Sequence, residues 1–397
     1  MRKVAVVGVG MTKFGALYDQ DVKELTEEAV WKALQDGGVD PKDIQIAYCG
    51  NAVPGVVSRQ AGITGQIGLM SVGITGIPIT TISNACSSST CAFRETYFAI
   101  ATGLYDIGLA FGVEKTVMRK EEATMATLAI GSKFLSLGAD GELENIYGIS
   151  FPGFFANAAQ RHMHLYGTTR EQMAKVAVKN HHNATMNPYA QFQKEITIED
   201  VFKSRMVAYP LTVYDCCPLS DGASAAILVG EELAKKYTDT PIWIKGTGQA
   251  SGVYSNTEED LTRFLPTIMA SRDAYKQAKI EPKDVDFAEV HDCFTISEII
   301  HYEDLGWCKK GEGGKMIEEG ITELGGKLPV NPGGGLKARG HPVAATGTAQ
   351  IAELVWQLRG EAGKRQVDGA EIGLAHTLGG LTHADVAVSA VVILGRE

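Results

Sequence analysis

Short apolar runs separated by amphipathic stretches recur along this chain. Residues 4–8 form one such run, and residues 107–110 and 372–375 form two more. An apolar run without polar alternation is typical of a strand that is buried on both faces of a sheet. A helix is predicted at residues 22–36, where a pair of glycines ends it. Helices that alternate with buried strands predict a layered α/β fold with parallel strands.

The same pattern occurs twice. Residues 39–47 read VDPKDIQIA and residues 280–288 read IEPKDVDFA, while residues 107–110 and 372–375 both read IGLA. The two blocks keep their order, and in each copy a predicted helix is followed by a proline turn and then a strand. Such a long internal repeat predicts a duplicated architecture with two similar α/β halves.

The repeat also predicts the domain boundaries. The first half covers residues 1–115 plus about 221–240, where a returning strand is predicted near residues 222–230. Residues 241–397 form the second half. Residues 116–220 form an inserted lid or loop region, since a long insertion between matched elements often carries a binding function.

Composition and charge narrow the class of protein. The chain has 397 residues, of which 45% are hydrophobic and 21% charged, a profile typical of a soluble globular protein. Its net charge of −10 has the wrong sign for steering nucleic acid. We found no apolar run of about 18 residues, so no membrane span is predicted. Seven cysteines, an odd number, and no recognisable signal peptide favour free thiols and a cytoplasmic location.

Cys86 is a candidate nucleophile. It follows a predicted β-branched strand at residues 79–82 and precedes a helical run at residues 90–102. The positive end of a helix dipole favours a thiolate over a thiol at such a position. A buried, unreactive cysteine is the alternative, and the local context alone does not decide between the two.

His341 is a candidate for activating that thiol. It lies in the glycine-rich segment GGGLKARGHPVAATG at residues 333–347, which runs into a predicted helix, and Pro342 suits the first helical turn. The position of His341 within the second half corresponds approximately to the position of Cys86 within the first half. Two halves packed about a pseudo-twofold axis would bring the Cys–His pair together. A loop or capping histidine is the alternative.

The segment HDCF at residues 291–294 closes the predicted strand at residues 285–290. Polar residues directly after a buried strand often line a site in α/β proteins, so His291 and Cys293 are candidates. A turn that merely contains them is the alternative. The third glycine of a dinucleotide fingerprint is misplaced after Gly8, and the cysteines lack CxxC pairs, so neither NAD nor a metal is predicted.

Taken together and in order, these segments resemble thiolases over essentially the whole chain. The resemblance rests on SNACSSST at 83–90, HDCF at 291–294 and GHP at 340–342, with NPYAQF at 187–192 and DCCPLSDGA at 215–223 in support. The chain is most similar to the sterol-carrier-protein-type (lipid-transfer) branch and its bacterial and archaeal acetyl-CoA acetyltransferase relatives. The resemblance implies the thiolase fold, with two βαβαβαββ halves in five layers and an inserted lid.

The resemblance also implies a role for each candidate. Cys86 would carry the acyl group as a thioester. His341 would activate Cys86 and help to form an oxyanion hole for the enolate of the second acyl-CoA, which His291 would complete where many thiolases have Asn. Cys293 would act as acid and base at the α-carbon. A second oxyanion hole would use backbone N–H groups of Cys86 and of a turn at Gly380.

One departure from the classical thiolase pattern concerns the C-terminal cysteine. Classical members carry their acid/base cysteine in a CxG motif, whereas residues 374–380 here read LAHTLGG. In the lipid-transfer branch the HDCF cysteine takes this role, which Cys293 fits. His376 is a further candidate for lining the site.

These roles predict an acyl-CoA C-acyltransferase that cleaves 3-oxoacyl-CoA with CoA, or runs the reverse Claisen condensation. Coenzyme A would be a cosubstrate, with no permanently bound cofactor. The alternatives are a thiolase-fold retro-aldolase, a ketosynthase-like condensing enzyme and a non-catalytic acyl-CoA-binding subunit. A bulky or aryl-substituted acyl chain would suit a pocket lined by aromatic residues of the insertion, although packing of the lid itself is the favoured interpretation. Those residues are Phe134, Tyr147, Phe151, Phe154 and Phe155.

The resemblance finally implies partners. Thiolases generally form homodimers or tetramers. Relatives in this branch often work with a small protein that combines a zinc ribbon and an OB-fold. Such a partner would supply contacts to CoA that this acidic chain lacks.

Overall fold

Strands and helices follow one another in the order that the apolar pattern predicts. The computed structural model describes residues 1–53, 55, 58, 60–117, 150–253, 260–382 and 385–397. The strands are β1 Val4–Met11, β2 Ile46–Gly50, β3 Ile79–Ile82, β4 Ile107–Glu114, β5 Met206–Ala208, β6 Leu211–Thr212, β7 Gly222–Gly230, β8 Ile242–Ser251, β9 Phe287–Glu289, β10 Ile372–Thr382 and β11 Asp385–Gly395. The helices are α1 Val22–Gly37, α2 Thr64–Met70, α3 Ser88–Ala101, α4 Phe151–Tyr166, α5 Arg170–Ala184, α6 Ile198–Lys203, α7 Glu231–Tyr237, α8 Leu265–Ala278, α9 Thr295–Asp304, α10 Gly313–Glu318 and α11 Thr346–Arg359.

A single sheet runs through both halves of the described chain, in the order β3-β2-β4-β7-β1-β8-β11-β10-β9. The first five of these strands come from the N-terminal half, and the remaining four come from the C-terminal half. The halves meet where β1 pairs with β8 through Ala5↔Trp243 and Val6↔Ile242. The returning strand predicted near residues 222–230 is β7, which lies between β4 and β1.

The duplication seen in the sequence is confirmed by strand register. In the first half Ala47 of β2 is paired in parallel with Leu109 of β4. In the second half Ala288 of β9 is paired in parallel with Leu374 of β10. These residues occupy the same positions within the repeated blocks VDPKDIQIA/IEPKDVDFA and IGLA. The two copies of each block therefore form the same pairing in each half.

The two halves also end their matching helices in the same way. The first residue beyond α1 is Gly38, with φ of 59°, and the first beyond α8 is Lys279, with the same φ of 59°. Each helix is followed by a short 3₁₀ turn that begins with a proline, Pro41 or Pro282. The left-handed conformation is unusual for a lysine, so here the duplicated frame outweighs local preference.

Helices α3 and α11, one from each half, form the middle of five layers. Side chains of α3 such as Phe93 and of α11 such as Leu354 share one core with residues of both half-sheets. The helices touch near their N-termini, where a Cβ on Gly347 would overlap Thr90. Helix α1 covers the outer face of the first half-sheet, and α8 and α9 cover that of the second. The predicted five-layer thiolase fold is confirmed.

The described part of the predicted insertion packs on the second half. Phe155 of α4 stacks on Phe294 with ring centroids 4.6 Å apart and meets Phe264 edge-on at 5.9 Å. Phe154 stacks on Phe264 as well. Phe134 and Tyr147 lie outside the described residues. The aromatic side chains of α4 therefore belong to a packed core in this part of the molecule.

Among the residues that the structure describes, no helix has both the length and the apolarity needed to cross a membrane.

Candidate active site

The loop between β3 and α3 presents Cys86. Ala85 has a φ of +46°, a conformation that non-glycine residues adopt mainly in tight turns. The Ser88 hydroxyl fixes this turn, because it donates to the Ala85 carbonyl at 2.6 Å and accepts from the Asn84 N–H at 2.9 Å. Helix α3 begins at Ser88, so Cys86 lies just before its N-terminus, as predicted.

Strand β10 passes directly behind this loop at Gly379. A Cβ on Gly379 would lie 2.6 Å from the backbone nitrogen of Cys86, so only glycine allows this approach. Gly380 has a φ of +67° and lies within β10, not in the turn that the sequence analysis expected. With Asn84 and Ala85 it lines a cleft of about 490 Å³.

His341 reaches the nucleophile from the other half of the molecule. Its Nε2 lies 3.3 Å from Sγ of Cys86, and its Nδ1 lies 2.7 Å from Oγ1 of Thr346. The Thr346 hydroxyl donates its single proton to the carbonyl of Pro342 at 3.0 Å. It therefore accepts from Nδ1–H of His341, which leaves the Nε2 lone pair directed at the Cys86 thiol.

The loop around His341 is held by buried hydrogen bonds. The His341 N–H donates to Oγ of Ser220 at 2.8 Å, and that hydroxyl donates to Oε1 of Gln191 at 2.5 Å. Gly340 has a φ of +112°, which a glycine tolerates. Helix α11 begins only at Thr346, because a 3₁₀ turn at Val343–Ala345 intervenes. The prediction that Pro342 starts the helix was wrong by one short turn.

Both members of this pair are held neutral. Burial raises the pKa of the Cys86 thiol, and the neighbouring Cys217 and Glu114 raise it further. The sequence analysis expected the helix dipole to favour the thiolate, but desolvation of the charged form outweighs it. Burial, followed by the charge of Arg339, lowers the pKa of His341 to about 3. The resting pair is therefore a thiol facing an imidazole that can accept its proton.

The other two predicted side chains converge on the same point. The His291 ring lies edge-on to that of His341, with centroids 5.1 Å apart. The ligand atoms of Cys86, His291 and His341 lie within 4.8 Å of one another. Burial lowers the pKa of His291 well below its usual value, so this ring is neutral too.

Cys293 is buried next to this cluster, just before α9. Its Sγ lies 3.8 Å from Oγ of Ser297. Burial raises the pKa of the Cys293 thiol, and the nearby Cys217 and Cys86 thiols raise it further. A charge on Cys86 therefore acts on Cys293, although the two are far apart in sequence.

His376 is not one of the three clustered side chains, although its charge is among the causes that lower the pKa of His291. Neighbouring side chains on a strand point to opposite faces, and Thr377 faces α3, where its hydroxyl donates to Thr90 at 2.9 Å. His376 therefore faces α8, and its Nε2 lies 3.1 Å from the hydroxyls of Thr267 and Ser389. Its ring packs 4.4 Å from that of His301. The expectation that His376 lines the site is not supported by these contacts.

Asp292 is a residue of the site whose role the sequence analysis missed, although it lies within the HDCF motif. Its carboxylate accepts from the N–H of Leu336 at 2.6 Å, from the N–H of Lys337 at 3.2 Å and from Nδ2 of Asn180 at 2.8 Å. It thus fixes the glycine-rich loop that carries His341 to the segment that carries His291.

Glu114 connects the two halves behind the site, and the sequence carries no signal for this role. One carboxylate oxygen accepts from the Ala52 N–H at 3.0 Å and from the Ala344 N–H at 3.1 Å. The other accepts from the Val53 N–H at 3.1 Å and from Nδ2 of Asn51 at 3.0 Å. Strand β4 is thereby tied to the loop that follows His341.

The arrangement matches what acyl transfer through sulfur needs. A thiol faces a neutral base at hydrogen-bond distance, and a second imidazole and a second thiol lie beside them. Proton transfer to the base as the sulfur attacks avoids the need for a preformed thiolate. A ring N–H is able to donate to a developing oxyanion, and His341 has such a donor at Nε2 once it has taken the thiol proton.

Family models match both halves of the chain, and curated relatives match nearly all of it. The model described as "Thiolase, N-terminal domain" matches residues 4–232, and "Thiolase C-terminal domain-like" matches residues 248–396. An acetyl-CoA acetyltransferase of Methanothermobacter thermautotrophicus is 48% identical and covers 96% of this chain and 97% of its own. Sterol carrier protein 2 of Bos taurus is 40% identical over 95% of this chain and 70% of its own. The benzoylsuccinyl-CoA thiolase subunit BbsB of Thauera aromatica is 38% identical over 96% and 95%.

A solved structure resembles the whole fold. It is described as the Ltp2-ChsH2(DUF35) aldolase and is superimposed with a TM-score of 0.81 at 26% sequence identity. The alignment covers 99% of this chain and 98% of that one. The similarity thus extends across both halves.

Proposed function

The chain belongs to the thiolase family and is an acyltransferase, and on that premise we propose that it cleaves 3-oxoacyl-CoA with CoA, or runs the reverse Claisen condensation, through an acyl-Cys86 intermediate. The observation that carries this proposal is the 3.3 Å contact between Sγ of Cys86 and the unprotonated Nε2 of His341. Coenzyme A takes part as a cosubstrate, without a permanently bound cofactor.

In the cleavage direction, Sγ of Cys86 attacks the 3-oxo carbon while Nε2 of His341 takes the thiol proton. The bond between the α-carbon and the former 3-oxo carbon then breaks. This leaves an acyl thioester on Cys86 and the enolate of the departing acyl-CoA. Cys293 protonates that enolate at the α-carbon and becomes a thiolate. It then takes the thiol proton of free CoA as the CoA sulfur attacks the acyl group, and His341 returns its proton to Cys86 as that sulfur leaves.

Two sets of donors stabilise the oxygen anions along this path. We assign the enolate oxygen to His291 and His341, whose rings lie 5.1 Å apart. We assign the oxygen of the tetrahedral intermediate to backbone N–H groups of Cys86 and Gly380. The close approach of Gly379 to the Cys86 nitrogen supports this second assignment.

For the acyl chain, the proposal includes bulky and aryl-substituted substrates beside short ones. The relative named benzoylsuccinyl-CoA thiolase subunit supports an aryl-substituted chain, and the relative named acetyl-CoA acetyltransferase supports a short one. The aromatic side chains of α4 favour neither, because they pack against one another and against Phe264.

The proposal extends to assembly and location. We propose a homodimer or tetramer, and the half-exposed edge strand β3 next to the nucleophile loop offers a surface for it. In support of a small zinc-ribbon/OB-fold partner, one relative is described as a subunit and one similar structure as a two-component aldolase. All seven cysteines are free, which agrees with a reducing cytoplasm.

The domain division is part of the same proposal. Residues 1–115 with about 221–240 form the N-terminal half, residues 241–397 form the C-terminal half, and residues 116–220 form the inserted region. The position of β7 beside β1 and β4 supports the return of the chain to the first half.

A retro-aldolase is the second candidate function, and the likeness to a structure described as an aldolase favours it. In retro-aldol cleavage a base removes the proton of a hydroxyl group, so no acyl-enzyme forms on a cysteine. The presence of the Cys86–His341 pair favours the thiolase over this candidate.

The test is CoA-dependent cleavage of a panel of 3-oxoacyl-CoA esters with short, long and aryl-substituted chains, followed by mass spectrometry of the products. We expect Cys86→Ala to abolish cleavage and the covalent acyl adduct, while Cys308→Ala keeps both. Cleavage that survives Cys86→Ala would support retro-aldol chemistry. If the unaltered protein showed neither turnover nor acylation of Cys86, the thiolase proposal would be contradicted.

A further inference from the structure

Cys86, His291 and His341 place one sulfur and two ring nitrogens in a small volume. Their ligand atoms lie within 4.8 Å of one another, and Sγ of Cys86 is already 3.3 Å from Nε2 of His341. Zinc bonds of about 2.3 Å to sulfur and 2.0–2.1 Å to nitrogen imply about 3.5 Å between ligands in a tetrahedral site. One pair is therefore at ligand spacing, and a small shift of the His291 ring completes the set.

We propose that these three side chains bind one thiophilic divalent cation, of which Zn²⁺ is the prime example, and that the bound ion reversibly blocks the nucleophile. Three protein ligands drawn from cysteine, histidine and carboxylate side chains, with a fourth position open to water, form a recognised type of zinc site. This proposal goes beyond acyl transfer, because binding requires neither CoA nor an acyl substrate.

The hydrogen bonds of His341 support ligation. Thr346 holds the proton on Nδ1, so the Nε2 lone pair faces the sulfur. A metal-bound histidine typically donates its other ring N–H to a partner in this way. As the metal–sulfur bond forms, the thiol proton leaves to solvent, and the two neutral rings contribute lone pairs without releasing a proton.

His291 has the free capacity that a third ligand needs. It is 1% exposed, and its Nδ1 has no hydrogen-bond partner among the described residues. No hydrogen bond therefore holds the ring at Nδ1, so a movement that turns a ring nitrogen towards an ion breaks no hydrogen bond there. Cys86 is half-buried, which leaves a route for the ion.

The sequence analysis predicted no metal because the cysteines lack CxxC spacing. The ligands proposed here come from three distant segments, after β3, after β9 and before α11, so no local spacing reveals them. Only the packing of α3 against α11 brings the sets from the two halves together.

The test is a titration of the full-length protein with Co²⁺ in the absence of CoA and acyl-CoA. We expect one Co²⁺ per chain with the sulfur-to-cobalt charge-transfer band and the visible bands of four-coordinate cobalt. Zn²⁺ added afterwards should remove these bands by displacement. Circular dichroism of each variant confirms that it is folded.

Three variants locate the site. Cys86→Ser should abolish the charge-transfer band, and Cys308→Ser, which removes a thiol elsewhere, should leave it unchanged. His291→Asn keeps a polar side chain but lacks the ring nitrogen, and we expect binding at least about tenfold weaker. No binding by the unaltered protein, or an unchanged band in folded Cys86→Ser, would overturn the proposal.

A competition experiment connects binding to catalysis while keeping the two proposals separable. If Cys86 forms a thioester as proposed above, its sulfur is no longer a thiolate ligand, so acylation should displace the ion. Direct Co²⁺ binding is read without substrate and stands even if no acyl transfer is found. Equal Co²⁺ affinity of the acylated and free protein would overturn the assignment to Cys86.

Discussion

The N-terminal and C-terminal halves use the same frame to present different chemistry. Their repeated strands are paired in the same register, yet the first half contributes Cys86 alone to the reactive cluster. The second half contributes His291 and His341, and it also carries Cys293. The duplicated scaffold thus fixes the positions of the loops, while the sequence of each loop determines which reactive side chains it contributes.

The halves also differ in how they support those loops. Among the described residues, the Glu114 carboxylate of the first half accepts from neutral N–H groups. In the second half Arg339 lies 2.8 Å from Glu289, and Lys179 of the inserted region lies 2.7 Å from Glu298. Buried ion pairs occur in both halves, because Lys115 lies 2.7 Å from Asp221 in the first. What differs is the partner of the carboxylate near the site, which is neutral for Glu114 and cationic for Glu289.

Removing the base should have the largest effect. His341→Ala should slow acylation of Cys86 by about 10²–10⁴-fold, the usual range for loss of a general base. Single-turnover acylation by a 3-oxoacyl-CoA measures this rate. His182→Ala, at an exposed histidine, serves as the control, and an equal loss in both variants would contradict the assignment.

The pH dependence of the same rate provides an independent measure. Because the pKa of His341 is lowered to about 3, its ring is neutral and able to accept a proton at any higher pH. The rate should therefore stay level between pH 8 and pH 5. A fall centred near pH 6.5, the ordinary pKa of a histidine, would show that His341 is not desolvated in solution.

A substitution at the contact between the halves should have the next largest effect. In Gly347→Ala the new Cβ would overlap Oγ1 of Thr90 and lie 2.7 Å from its backbone nitrogen. Overpacking of this kind lowers the free energy of unfolding by about 1–3 kcal/mol. Urea denaturation measures it, with Gly15→Ala as the control, since there the nearest atom is 3.9 Å from the Cβ.

A substitution that disturbs the tautomer of His341 should have a smaller effect on catalysis. Thr346→Val removes the acceptor for Nδ1–H, which should reduce kcat/KM about tenfold through an unpaired buried donor and a mixed tautomer. KM should change little, because Thr346 does not contact substrate in the proposed mechanism. Thr346→Ser should restore the rate, and failure of this rescue would argue for a packing role.

Substitutions at the matching helix ends should have the smallest effect on stability. Gly38→Ala forces an alanine into the left-handed conformation after α1 and should cost about 1 kcal/mol of unfolding free energy. Lys279→Gly relieves the same strain after α8, and we expect a gain of about 0.5 kcal/mol after the added flexibility of glycine is subtracted. Thermal or urea unfolding of both variants measures the difference. If both substitutions changed the free energy of unfolding in the same direction, the correspondence between the two helix ends would be contradicted.

The sequence predicted the frame well because the frame is local and repeated. The matched blocks located β2 with β9 and β4 with β10, and the pseudo-twofold argument brought Cys86 and His341 together. The predicted strand at residues 79–82 was confirmed as β3.

The remaining features depend on distant partners or on side-chain direction. The sequence does not indicate that the Glu114 carboxylate accepts hydrogen bonds from N–H groups of both halves. The direction of the His376 side chain, which hydrogen-bonds to Thr267 and Ser389, was not evident from an apolar run, because a strand directs neighbouring residues to opposite faces. The thiolate prediction for Cys86 was wrong because burial, which the sequence does not give, outweighs the helix dipole.

The position of β7 has a consequence for synthesis on the ribosome. The N-terminal sheet has the order β3-β2-β4-β7-β1, so β1 and β4 gain a common neighbour only when residues 222–230 have emerged. The nascent first half thus keeps strand edges exposed throughout translation of the inserted region. Its inner face waits longer still, until α11 arrives near the end of the chain. Chaperone binding to this half is therefore most needed while residues 116–220 are being translated.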